Sequence, residues 1–140
     1  MMVDLESLVQ FSPNQIVCLE QGELRLFGEV VQMVPQRLVL TGWKPSRCWV
    51  RPLAMAQVVP ESLQLLLLYD LRESSHLVLP TQVFREALDT EVIPIMSALF
   101  HSEKEVVVDQ DDAARISLHQ LIRMVSVERS EIFQTITVQD

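Results

Sequence analysis

ELRLFGEVVQMVPQRLVLTGWKPSRCWVRPLAMA, residues 23–56, decides how this chain is read. β-Branched and apolar residues fill 23–34, Pro35-Gln36 interrupts them, 37–44 follow, and Pro45-Ser46 separates these from 47–56. The pattern predicts three consecutive antiparallel strands joined by two-residue turns at the two Pro-X steps. Turns of that length fix the pairing register. Val34 then faces Arg37, Gly28 faces Trp43, Lys44 faces Arg47 and Gly42 faces Trp49, so that each strand glycine lies under a tryptophan ring. Neither turn is Asn-Gly or Asp-Gly, which leaves a slip of one residue open.

Alternation along the strands sorts the side chains of this register. One face collects Leu24, Leu26, Val30, Val34, Val39, Trp43, Cys48 and Val50, a core pattern. The other face divides along its length. Glu23, Arg25, Glu29, Lys44, Arg47 and Arg51 surround Trp49 at one end, and Val31, Met33, Leu38, Leu40, Leu53 and Met55 occupy the opposite end. An apolar half-face of that size is expected to be covered by the chain's own helix or by a partner. Met33, Leu40, Leu53 and Met55 are therefore the expected interface residues.

Working outward, residues 15–20 form a brief strand, 58–62 a connection containing Pro60, and 64–71 (QLLLLYDL) a buried strand. Five strands in a meander predict a small antiparallel, barrel-like sheet. The period then changes. Residues 81–88 carry Val83, Phe84, Ala87 and Leu88 at helical spacing. Asp89 or Thr90 caps a helix with the stripe Val92, Ile95, Met96 and Leu99. A short strand is expected at 106–108. Asp109 caps a last helix over 110–127, striped by Ala114, Ile116, Leu118, Leu121, Ile122 and Val125, with Asp111 and Asp112 at the positive end of its dipole. A short helix is expected at 3–11, and a strand or tail at 132–138.

The expected fold is α+β: a five-stranded antiparallel barrel-like sheet followed by two or three packed helices. A chain of 140 residues is read as a single domain, with 15–72 its β-rich part and 80–128 its helical part. The net charge of −8 falls wholly after residue 56, since the first 56 residues hold five acidic and five basic side chains. That balance argues against general affinity for nucleic acid or anionic membrane. Cys18 and Cys48 sit among apolar neighbours and read as buried, reduced thiols. No signal peptide and no apolar run of membrane-spanning length is legible, so a cytoplasmic location is expected.

The phrases RCWVRPLAM (47–55), LYDLRESS (68–75) and FREALDTEVIP (84–94) resemble small cyanobacterial proteins to which no activity is assigned. The resemblance covers scattered phrases between residues 24 and 99. It implies a bacterial, phototroph-linked cytoplasmic role and transfers no functional residue.

Chemistry-bearing motifs are few. Arg47, Trp49 and Arg51 share one strand face, with Lys44 and Tyr69 as extensions. Guanidinium on indole suits carboxylates, phosphates or unpaired bases. The structural alternative, which is preferred, has Arg47 and Arg51 pair with Glu29 and Glu23. His76, His101 and His119 show no metal-ligand spacing, and Asp109, Asp111 and Asp112 lack the glycine and distal glutamate of a calcium loop. Ser74-Ser75-His76 lies in no acyl-transfer signature, and three glycines make no phosphate loop. No catalytic or metal residue is assigned, and no cofactor is identified. The expected function is a non-catalytic interaction or regulatory domain, with a protein partner or a second copy in a homodimer. A cofactor-binding barrel, tetrapyrrole included, is the alternative, and single-stranded RNA binding through Arg-Trp-Arg the second.

Overall fold

The computed structural model describes residues 10–59, 61, 64–101, 107–108 and 112–133. The elements are β1 (Ile16–Gln21), β2 (Leu24–Val34), β3 (Arg37–Val39), β4 (Gly42–Lys44), β5 (Arg47–Val59), β6 (Gln64–Asp70), β7 (Leu77–Pro80), β8 (Arg85–Glu86), α1 (Asp89–His101), β9 (Val107–Val108), α2 (Asp112–Glu128) and α3 (Ser130–Phe133). The α+β class holds. The main sheet has seven strands in the order β8-β1-β2-β5-β6-β9, with β7 also on β5. All its pairings are antiparallel except β6 with β9. Among the described residues the path is open from β8 to β9 and does not close as a barrel. The expected helix at 3–11 and the strand or tail at 132–138 lie mostly outside the described residues; of their described ends, residues 10 and 11 are not helical, and residues 132 and 133 belong to α3 rather than to a strand.

The predicted meander of 23–56 is not what forms. β2 pairs directly with β5, placing Val34 opposite Arg47 and Met33 opposite Cys48. β3 and β4 pair only with each other, as a separate two-stranded sheet: Arg37 opposite Lys44, Leu38 opposite Trp43, Val39 opposite Gly42. The turn is therefore Leu40-Thr41, and Pro35-Gln36 and Pro45-Ser46 are the two legs between sheet and ribbon. Proline explains the break, because it gives no N–H to a ladder. Two prolines, one on each leg, interrupt one long hairpin without ending it. Trp43 consequently lies opposite Leu38 and Trp49 opposite Gln32, neither over a glycine. Gly28 faces Pro52, and a Cβ there would meet the Arg51 carbonyl oxygen and the Val50 Cβ, both at 3.3 Å.

Two bulges then re-sort the faces. The pairing skips Val31 on β2 and Leu53 on β5. Each extra residue inverts the alternation beyond it. Met33 and Met55 thereby turn to the same side as Leu26, Val30, Cys48 and Val50, where α2 supplies Leu118, Leu121 and Val125. The opposite side buries Cys18, Phe27, Ala54, Ala56, Val58 and Leu68 beneath Ile95, Ala98 and Leu99 of α1. The sheet thus lies between α1 and α2, and its central strands are apolar on both sides as that requires.

Smaller corrections follow from the same packing. Residues 81–88 make no helix: Thr81–Val83 is a single 3-10 turn, Phe84 is extended, and β8 pairs with β1. Thr81 donates its N–H to the Ser46 carbonyl at 3.0 Å and accepts the Ser46 hydroxyl at 3.0 Å, and Val83 and Phe84 are both buried. Those tertiary demands override helical spacing. Residues 58 and 59 continue β5 instead of forming a connection, and 77–80 form a further strand. Leu88 precedes α1, and its N–H is capped by Glu91 Oε1 at 3.0 Å, so neither Asp89 nor Thr90 is the cap.

Candidate functional site

Of the two groups of site residues expected from the sequence, the structure separates the apolar four and keeps Arg47, Trp49 and Arg51 together without Lys44 and Tyr69. Leu53 and Met55 are core residues, Met33 is half-buried against the α2-side core, and Leu40 alone of the four is fully exposed. Arg47, Trp49 and Arg51 do share a face of β5, alternating with buried Cys48 and Val50. Tyr69 lies opposite Met55 and packs into the α2-side core, on the other side of the sheet from Trp49. Lys44 belongs to the ribbon. The Arg-Trp-Arg face is internally engaged: Arg51 is ion-paired with Glu29, and the Trp49 indole N–H donates to His76 Nδ1 at 3.0 Å. The two rings are tilted at 54° with centroids 5.9 Å apart.

A charged cluster missed in the sequence lies where α1 meets β1 and β8. Arg85 donates to both oxygens of Glu91 at 2.8 Å and to Glu20 at 3.0 Å, and Arg25 lies 3.4 Å from Glu20. Arg25 is buried and donates to the carbonyls of Gly22 (2.6 Å) and Leu24 (3.0 Å). The hydrogen bonds from Arg85 hold the Glu91 carboxyl below its usual range. Sequence gives little cue to this cluster, because Glu20 and Arg85 are 65 residues apart in number and meet through the pairing of β1 with β8, with Glu91 brought in from the first turn of α1. With two cations and two carboxylates it is self-neutralised and structural. The crevice above it, between Arg25, Phe27, Val58 and the first turns of α1, has about 60 Å³.

The ribbon has the opposite character. Leu38 is 59 % exposed, Leu40 106 % and Trp43 42 %. Leu38 and Trp43 are directly opposed and so project from one side, with Leu40 at the turn beyond them. Arg37 and Lys44 are opposed on the other side, like charges whose repulsion disfavours the ribbon in isolation. Gly42 takes a φ of 133°, in the region that favours glycine, immediately after the turn. The Ser46–Thr81 hydrogen bonds fasten the base of the ribbon to the body, and Thr81 is wholly buried. Each ribbon strand's main packing partner is the other strand.

Among the described residues no three His, Cys, Asp or Glu side chains gather as a metal site, and no helix is long and apolar enough to cross a membrane. In comparisons with known proteins, no family model, curated protein or solved structure matches this chain.

Proposed function

We propose that this chain is a non-catalytic cytoplasmic interaction domain that engages a protein partner through the β3–β4 ribbon. The observation that carries the reading is the full exposure of Leu40 beside Leu38 and Trp43 on a ribbon detached from the sheet. A two-stranded ribbon is marginal by itself in water and gains stability when one side is covered. Leucine at the tip of a turn serves no local purpose, since turns are built from Gly, Asn, Asp, Ser and Pro. Trp and Arg, both present in the ribbon, are among the residues enriched as interface anchors. Buried, reduced Cys18 and Cys48 accord with a reducing compartment.

The cofactor-binding and RNA-binding alternatives draw on the Arg47–Trp49–Arg51 face. That face supports them less, because Arg51 and Trp49 already have partners within the chain.

The test is site-specific photocrosslinking in the source cell from position 40, with exposed position 120 as control. Discrete protein adducts from 40 and none from 120 are expected, and Trp43→Ala should remove them. Identical patterns from the two positions would refute the reading.

A further inference from the structure

Taking the ribbon as the docking element proposed above, we infer that its partner is a second copy of this chain, each ribbon seated on the exposed stripe of the other copy's α1. Charge points there first. Residues 37–44 carry Arg37 and Lys44 and no acidic side chain, a net +2, which leaves −10 on the rest of a chain whose total is −8. Of that, the described residues outside the ribbon hold twelve acidic and eight basic side chains, a net −4, so the described body is opposite in sign to its own ribbon.

Two helices expose apolar side chains. On α2 these are Met124 and Val127, among Arg123, Glu128, Arg129 and Glu131, a locally neutral surface. On α1 they are Ile93, 66 % exposed, and Phe100, 71 % exposed, seven residues apart and hence on one side, with Leu88 just before the helix at 59 %. Asp89 in the first turn and Glu86 just ahead of it are both exposed carboxylates at that end. The α1 stripe therefore offers apolar residues for Leu38, Leu40 and Trp43 and, at its Asp89 end, carboxylates for Arg37 and Lys44, while at its far end Arg72 lies over the Phe100 ring, 6.0 Å from the centroid.

A single eight-residue ribbon is small beside the roughly 800 Å² per partner of stable complexes. A two-fold exchange uses ribbon and stripe on both copies, and so covers both of these apolar features with one isologous interface, leaving Met124 and Val127 of α2 outside it. Neutralising the opposed Arg37 and Lys44 also removes the repulsion built into the isolated ribbon.

The test is sedimentation equilibrium on the full chain and two complementary variants, R37E/K44E and E86K/D89K. The unmodified chain should be dimeric, and weaker as salt rises from about 0.1 to about 1 M, where screening shortens from about 10 to about 3 Å. Each double variant alone should be monomeric, since like charges then meet in both contacts. An equimolar mixture should restore a heterodimer, because each contact again joins opposite charges. Leu40→Glu should weaken the dimer by roughly 30-fold or more. A monomeric unmodified chain whose position 40 crosslinks to a different protein overturns the second copy and leaves the ribbon as docking element. A dimer indifferent to Leu40→Glu and to both double variants overturns both.

Discussion

Cys18 has no exposed surface, and burial pushes its thiol up to about 12 from an ordinary 9.0, with Cys48 raised to about 11 for the same reason. The thiolate is the reactive species. In the folded protein both cysteines should therefore resist iodoacetamide at about pH 8.5, the ordinary thiol range, and react only once the chain unfolds; mass spectrometry after a short pulse reads this directly. The sign for stability follows. A folded-state value above the unfolded one contributes stability that is complete below the ordinary thiol range and is lost as pH rises toward 11–12. Urea midpoints should fall over that interval, and less steeply in Cys18→Ala. An equal fall in both proteins would rule the thiol out as the cause. Burial of the two thiols was legible from their apolar neighbours. Burial of Arg25 was not, because an arginine on a strand reads as solvent-facing until its partners Glu20, Gly22 and Leu24 are placed around it.

At the scale of elements, the chain turns at a place whose composition does not mark a turn. The Pro-X steps at 35–36 and 45–46 resemble hairpin turns, yet the chain turns at Leu40-Thr41, which has no turn composition at all. What makes that turn work is Gly42 at a φ of 133°. Gly42→Ala should disorder the ribbon at a cost of about 1 kcal/mol or more while leaving the main sheet intact. Amide exchange would then rise at residues 37–44 and stay unchanged in β2 and β5; a uniform rise would mean that the ribbon is integral to the sheet. At the start of α1, Glu91 receives Arg85 and caps the Leu88 N–H. Glu91→Gln should cost about 1 kcal/mol, held down by the partial exposure of Arg85, and seen as a lower urea midpoint near pH 7. Because the carboxyl lies below its usual range, this contribution is present above the ordinary carboxylate range and lost as pH falls through the folded value. The gap between variant and parent should accordingly close in acid. β1, β2, β5 and β6 were all legible, as strong apolar runs between turn signals. Residues 81–88 were not, because their helical spacing arises from Val83 and Phe84 reaching the core out of a 3-10 turn and an extended residue.

For the molecule as a whole, the two-sided burial of the sheet sets where substitutions hurt. Leu121 on α2 is fully buried against the α2-side core, and Leu121→Ala should cost about 2–5 kcal/mol in urea unfolding. Met124, three residues along and 44 % exposed, should cost within about 0.5 kcal/mol when changed to alanine. Comparable losses at the two positions would show that α2 does not pack as described.

The sequence by itself determined the α+β class, the main strands β1, β2, β5 and β6, the stripe of α1, Leu118, Leu121, Ile122 and Val125 on α2 and the burial of the thiols, because each follows from composition and period within a few residues. Only the tertiary structure decided which strand lies beside which. Pairing between β2 and β5 rests on contacts between residues as far apart as 24 and 57, and one skipped residue at Val31 or Leu53 reverses every side chain beyond it. That is why Leu53 and Met55, expected with Leu40 at an interface, lie in the core, while Leu40 stands exposed on the ribbon beside Leu38 and Trp43.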